Sequence, residues 1–443
     1  MSKNHKLRKV YILYTRITYR KVIIMASYII NGGKRLEGEI NISGSKNASL
    51  PIIAACLLNK GITKLYNVPN IHDVQIMLKI LKVLGCKIKK NSGKIIIDSR
   101  KINKKEIPDD LMNQMRSSVI LAGALISRNK EVVFSYPGGC DIGSRPIDLH
   151  LEGFKKIGIN IEEESGYIKC NCDKILSSEI TLDFPSVGAT ENIMLASVYG
   201  EGTTIIKNAA REPEIVDLQN FLVKMGAKVT GAGESEIVIE GMKQIKKDVS
   251  YTIMPDRIEA GTILCAAAIT GGKVKINKVI PEHISSIIYK LEKMDCKIIV
   301  EKDYIYIEAP KKLKAVDIKT MPYPGFPTDM QSIITSVLTI AKGTSIIVEN
   351  IFENRYKYTA ELIKMGAKIK IEGKTAVVKG ARKLNGAKVK STDLRGGAAL
   401  VVAGLAAKGK TEVTNIEYVL RGYENLDKKL QKLGAKIIIR EGE

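Results

Sequence analysis

One thiol in this chain lies in a segment built for reactivity. Pro137-Gly138-Gly139-Cys140-Asp141-Ile142-Gly143-Ser144-Arg145-Pro146 holds three glycines and two prolines in ten residues. That composition describes a mobile or sharply turned loop, where function concentrates. Arg145 follows Cys140 by five residues, and a cation near a thiol lowers its pKa and raises its reactivity. The competing reading is an inert exposed thiol. A second segment, Gly44-Ser45-Lys46-Asn47-Ala48-Ser49-Leu50-Pro51, stands where a strand pattern gives way to an Ala-rich helix. Lys46 and Asn47 would sit at the helix N-terminus, where free amides and an ammonium favour an anion; as a surface lysine, Lys46 would be ordinary. A third group collects acids and arginines in polar junctions: Pro327-Thr328-Asp329-Met330-Gln331, Glu353-Asn354-Arg355, Thr392-Asp393-Leu394-Arg395-Gly396-Gly397 and Arg421-Gly422-Tyr423-Glu424. Asp followed two residues later by Arg can be a helix-start pair. Arginines recurring at matching junctions suit the bidentate clamping of phosphate and carboxylate.

Other residue types narrow the chemistry. The remaining cysteines (56, 86, 170, 172, 265 and 296) form no short-spaced even framework, which argues against a disulfide scaffold. Most sit among apolar neighbours, as small core hydrophobes do. Cys170 and Cys172 would share one face of a strand, with no second pair or nearby His to complete a metal site, so no metal is assigned. Four His in the whole chain argue against mechanisms built on clustered histidines. Gly404-Leu405-Ala406-Ala407-Lys408-Gly409-Lys410-Thr411 matches the P-loop pattern. A working P-loop follows a strand and opens a helix; here a helix runs in and a strand runs out, so the match is a decoy.

The elements that must position these residues repeat. Phrases like Leu362-Ile363-Lys364-Met365-Gly366-Ala367-Lys368-Ile369 recur at 81–88, 154–161, 221–229, 291–298, 362–369 and 430–437, a step of roughly 70 residues. Each reads as the end of an amphipathic helix, a Gly C-cap and a short strand, with Asp295 replacing Gly in the fourth copy. Ahead of most copies runs an Ala-rich helix, apolar nearly all round and therefore buried, then a β-branched strand. Six such units divide into two domains of three.

At 443 residues, 45% hydrophobic and 26% charged, the chain is an ordinary globular length of two or three domains. No run approaches the roughly 18 apolar residues of a membrane span. The net charge of +23 favours anionic partners. Its spread along the chain, with no dense basic block, favours a Lys-rich surface with a cationic cleft over a nucleic-acid binder. Residues 1–24 are basic, contain no acid and precede Met25; they read as an early start codon or a weak targeting peptide.

The ordered set Lys46-Asn47, Pro137-Gly138-Gly139-Cys140, Arg145-Pro146-Ile147-Asp148-Leu149-His150, Ser186-Val187-Gly188-Ala189-Thr190, Pro327-Thr328-Asp329-Met330-Gln331 and Asp393-Leu394-Arg395 resembles the enolpyruvyl (carboxyvinyl) transferase family, in its branch acting on UDP-N-acetylglucosamine. The resemblance runs from about Tyr28 to the C-terminus and leaves residues 1–24 outside the fold. It implies an α/β fold: a two-domain inside-out α/β barrel with three repeats per domain. One domain would combine 25–45 with 252–443, and the other, 46–251, would be inserted and carry the Cys140 loop. The substrates would meet in a cleft that closes through this loop.

The same resemblance implies the chemistry. Phosphoenolpyruvate and UDP-N-acetylglucosamine would be the substrates, with no cofactor, nucleic acid or membrane, in the cytoplasm, at the first committed step of peptidoglycan synthesis. Lys46, Arg145 and Arg421 match positions that hold phosphoenolpyruvate. Cys140 matches the proton donor and can form a covalent adduct with that substrate, and Asp329 the general base for the sugar 3-hydroxyl. Arg116, Asp393, Arg395 and Arg421 match a charged cleft. The nucleotide sugar would contact Arg116, Arg145, Pro146, Ile147, Asp148, Leu149, Phe184, Pro185, Ser186, Val187, Asp329 and Ile351, with Asn47 and Arg355 also binding substrate. The sequence departs at Phe184, where some relatives have Lys, and at Asp141, whose charge would raise the neighbouring thiol's pKa. The nearest rival is the sister enzyme acting on shikimate 3-phosphate, which does not use the Pro-Gly-Gly-Cys loop. The pattern selects no oligomeric state.

Overall fold

The computed structural model describes residues 26–91, 93–138 and 147–441. They fall into two compact units. One holds Met1–Asn41, Ile258–Thr320 and Thr328–Glu443 within the described range; the other holds Ile42–Arg257 and Met321–Pro327. We call them the split unit and the inserted unit.

Each unit is built on three helices that are buried nearly all round. In the inserted unit these are α1 (Lys46–Ala55), α2 (Ile120–Asn129) and α3 (Val187–Ser197). In the split unit they are α4 (Arg257–Ile269), α5 (Thr328–Leu338) and α6 (Leu394–Ala406). Their composition dictates this. Every residue from Leu394 to Leu405 is buried, and only a helix surrounded on all sides hides a sequence with no polar face. Helices α2 and α3 pack together, as do α5 and α6. The sheets lie outside them, with alternating residues turned inward, as in Ile237 and Ile239 of Glu236–Glu240. Helices inside and sheets outside make each unit an inside-out α/β barrel.

The third repeat shows the pattern in full. Strand Glu179–Thr181 leads through α3 to Thr203–Lys207, which pairs with it in parallel. An amphipathic helix, Pro213–Met225, then returns the chain to the antiparallel pair Lys228–Thr230 and Glu236–Glu240. The same four-strand order recurs in five sheets among the described residues; in the sixth, a lone parallel bridge between Glu106 and Val133 stands for the fourth strand. Each outer helix ends at a residue with positive φ: Gly85, Gly158, Gly226, Asp295, Gly366 and Gly434. Asp295, at φ 72°, takes the left-handed turn without glycine, which Asp tolerates because its short side chain bonds locally.

Strands far apart in sequence close the repeats. Strand β1 (Ser27–Asn31) lies between Lys410–Thr414 and Lys436–Arg440, antiparallel to both, and completes the four-stranded sheet of the last repeat. Strand β2 (Glu37–Asn41) pairs in parallel with Lys273–Asn277, while Val249–Thr252 pairs in parallel with Ile62–Tyr66. The chain thus leaves the split unit after β2 and returns to it after Val249–Thr252. The helix-to-strand order around Gly404 to Thr411 is α6 followed by Lys410–Thr414, the reverse of a P-loop. No helix among the described residues is long and apolar enough to cross a membrane.

Candidate active site

In the split unit the acids and arginines converge. Asp329 lies in the first turn of α5. Its Oδ1 accepts from Arg355 Nη2 at 3.2 Å and its Oδ2 from Arg395 Nη2 at 2.8 Å. Both guanidiniums are nearly sealed from solvent, with side chains 3% and 4% exposed, whereas the Asp329 side chain is 28% exposed. An open carboxylate between two buried cations faces any molecule that reaches it, and charge-assisted bonds hold it rigidly.

Asp393 stands at the start of α6. It is the N-cap of α6, and its Oδ1 accepts from the backbone N–H groups of Arg395 and Gly396, each at 3.0 Å. Capping fixes the first turn of α6 and with it the root of Arg395. The Arg395 guanidinium also lies over the Tyr423 ring, 5.3 Å from its centroid. Tyr423 is two residues beyond Arg421, which caps the short helix Glu417–Leu420. Arg355 opens a 3-10 turn, and its Nη2 also donates to the Thr328 carbonyl at 3.0 Å.

The inserted unit holds Lys46, Asn47, Arg116, Ile147, Asp148, Leu149, Phe184, Pro185, Ser186 and Val187. Lys46 is set by the crossing of the two linking segments. Gly44 bridges to Pro255, and a Cβ at Gly44 would fall 1.6 Å from the Asn67 carbonyl oxygen, so only glycine allows that approach. Ser45 N–H donates to the Met254 carbonyl and caps α1 through Oγ; Lys46 N–H donates to Asp256 Oδ2 at 2.9 Å. The Lys46 ammonium meets Asp73 Oδ2 at 3.0 Å, with side chains 13% and 1% exposed. Asn47 follows, half-buried.

A buried amide ties residues close in sequence to Arg116 and to Asp148-Leu149 onto α3. Asn192, on α3, donates through Nδ2 to the Val119 carbonyl and contacts His150 Nδ1 at 2.9 Å, while its Oδ1 accepts from Gly123 N–H. Gly188 admits the His150 ring so closely that a Cβ there would lie 3.2 Å from it. Val119, Gly123 and His150 are thereby tied to α3. Arg116 Nη1 reaches the Pro137 carbonyl at 3.4 Å. Ser186 spends its hydroxyl on capping α3 and Phe184 is exposed. Burial, and then the nearby Arg116 charge, push the His150 imidazole down to about 3, so it is a neutral anchor. Cys140, Arg145 and Pro146 lie outside the described residues.

Asp73, Asp256, Asn192 and Glu349 were not singled out from sequence. Asp256-Arg257 stands opposite Lys46 in the crossing, and only the pattern of two linking segments hinted at its role. Arg257 Nε binds Glu214 at 3.0 Å, with both groups buried. Nearby, burial and the charges of Glu214 and Glu212 hold the Glu191 carboxyl well above the usual range. Burial raises Asp217 to about 6, against opposing bonds from Tyr251 and Met254. For an acid with a raised folded pKa, stability is full below the unfolded value, near 4.5 for Glu191, and is lost as pH rises through the folded one. Glu191→Gln cannot ionise. It is expected to match the parent near about pH 5 and exceed it in Tm near about pH 8 by scanning calorimetry; parallel curves would refute this.

Comparison with known proteins assigns the class. The family model for EPSP synthase (3-phosphoshikimate 1-carboxyvinyltransferase) matches residues 30–430. The chain belongs to this family of enolpyruvyl transferases. Within it, the chain is 55% identical over 415 residues to UDP-N-acetylglucosamine 1-carboxyvinyltransferase 2 of Caldanaerobacter subterraneus subsp. tengcongensis, covering 94% of this chain and 99% of that protein. It is 51% identical to UDP-N-acetylglucosamine 1-carboxyvinyltransferase 1 of Carboxydothermus hydrogenoformans, covering 95% and 99%. Among solved structures it resembles the enolpyruvyl transferase NikO from Streptomyces tendae, with a TM-score of 0.85 at 24% identity, covering 95% and 100%. EPSP synthase from Acinetobacter baumannii gives 0.73 at 18% identity, covering 94% and 100%. These two likenesses show the fold.

Proposed function

We infer that this chain transfers the enolpyruvyl group of phosphoenolpyruvate to the 3-hydroxyl of UDP-N-acetylglucosamine and releases phosphate, the first committed step of peptidoglycan synthesis. The observation that carries this reading is the 55% identity, spread over 94% of the chain, with a relative named for that activity. The solved EPSP synthase, by contrast, is only 18% identical. A cytoplasmic location belongs to the same proposal, as does the assignment of residues that follows.

Addition needs a proton on the methylene carbon of phosphoenolpyruvate and a bond from the sugar oxygen to the adjacent carbon. Cys140 supplies the proton. Asp329 takes the hydroxyl proton, and its carboxylate, steadied by Arg355 and Arg395, supports this role. Loss of phosphate and of one methyl proton from the tetrahedral adduct then restores the vinyl ether. Lys46, Arg145 and Arg421 hold the phosphate and carboxylate, and Arg395 offsets developing charge. Arg116 and the segments 145–149 and 184–187 bind the nucleotide sugar, with Asn47, Ile351 and Arg355. The test is phosphate release from phosphoenolpyruvate with each acceptor. Turnover is expected with UDP-N-acetylglucosamine; turnover with shikimate 3-phosphate alone would overturn the reading.

A further inference from the structure

Glu349 has no place in the chemistry above, yet its carboxylate is a junction of the split unit. The residue is 1% exposed and directly follows the strand Thr344–Val348. Its Oε1 accepts from the Thr320 hydroxyl at 3.0 Å, from Ile351 N–H at 2.9 Å and from Phe352 N–H at 3.2 Å. Its Oε2 accepts from the Thr328 hydroxyl at 3.0 Å. A buried charge is costly unless it is fully bonded, and here four donors meet it.

What those donors carry is the point. Thr328 immediately precedes Asp329 at the start of α5. Ile351 and Phe352 form the loop that leads to Arg355. Arg355 Nη2 in turn reaches back to the Thr328 carbonyl and to Asp329 Oδ1. Glu349, Thr328, Asp329 and Arg355 therefore belong to one closed circuit, in which Glu349 sets the distance between the start of α5 and the Ile351 loop. Thr320 adds a third anchor, since its hydroxyl also accepts from Asn350 N–H at 2.9 Å.

We propose that Glu349 is a positioning residue for the transfer step, holding Asp329 and the Ile351 loop in register through the Thr328 hydroxyl and the loop amides. This rests on the reading of Asp329 as the base for the sugar hydroxyl. A general base works only within hydrogen-bond reach of its proton, and misplacement by about 1 Å can cost roughly 10²-fold.

Three variants separate the arms. Thr328→Val removes one hydroxyl and is expected to lower kcat roughly 10-fold with both KM values nearly unchanged, and to lower Tm because Glu349 Oε2 loses its donor. Glu349→Ala opens both arms and should lower kcat further while raising KM for UDP-N-acetylglucosamine. Glu349→Gln, whose amide can still donate to the Thr328 hydroxyl and accept from the loop, should recover most of the loss. The decisive readout is a double-mutant cycle: Thr328→Val should cost nothing further in an Asp329→Asn background. The proposal fails if folded Thr328→Val and Glu349→Ala keep parental kcat and KM while Asp329→Asn is inactive. It also fails if the Thr328→Val loss persists in full beside Asp329→Asn. Parental activity of Asp329→Asn alone would instead overturn the reading of Asp329, and this proposal with it.

Discussion

Replacing Asp329 by Asn is expected to lower kcat by about 10²- to 10⁴-fold, the usual contribution of a positioned general base. The amide keeps one oxygen, which can still accept from Arg355 or Arg395, but it cannot take a proton. Its NH₂ group would face whichever guanidinium it does not accept from, so one of the two present bonds is lost. Because both arginines are buried and Asp329 is partly open, neutralising the acid costs stability too, on the order of 1–3 kcal/mol. Phosphate release and thermal melting measure the two effects separately. A folded variant with kcat within about threefold of the parent would remove Asp329 from the chemistry.

The second large effect concerns the thiols. Cys56, Cys86, Cys170, Cys172, Cys265 and Cys296 are all buried. Burial, with smaller contributions from neighbouring groups, pushes Cys86, Cys170 and Cys296 up to about 12, and burial is also the main cause that raises Cys56, Cys172 and Cys265. Thiolate is the reactive form, so these six are protected by both access and protonation. A thiol reagent applied to the folded protein near neutral pH is expected to modify Cys140 alone, and all seven cysteines after denaturation. Fosfomycin, which the family resemblance implies would alkylate Cys140, should abolish turnover, and Cys140→Asp should resist it. Cys140→Ala should lose about 10²- to 10⁴-fold in kcat, the scale of a missing proton donor. Unchanged turnover after verified alkylation at Cys140 would end its assigned role.

The two lines of reasoning differ in how far sequence could carry them. Cys140 is a candidate on sequence alone because a dense run of Gly and Pro is a local signal. Asp393 was equally legible, since Asp before an apolar run is an N-cap by its own chemistry, and it caps α6. The same Asp-to-Arg spacing left two readings open, and the helix-start reading holds: Asp393 caps α6, while the Arg395 guanidinium binds the Asp329 carboxylate. Glu349, by contrast, follows a strand whose residues give no hint that the carboxylate turns inward. Its donors come from positions 320, 328, 351 and 352, brought together by three different elements.

By itself the sequence determined the six-fold repeat, the buried helices and the outer-helix caps, because helical periodicity, uniform apolarity and left-handed turns are local properties. Even the exception at Asp295 was readable, and it adopts the turn. Only the tertiary structure decided how the repeats close. Strand β1 completes a sheet with residues near 412 and 438, and β2 and Val249–Thr252 each pair across more than one repeat of intervening chain. Backbone pairing of that range leaves no periodic trace, since any alternating strand can fill the gap. The Lys46 crossing, the Asn192 junction and the Glu349 circuit share that origin, for each is made by side chains whose partners are neighbours only after folding.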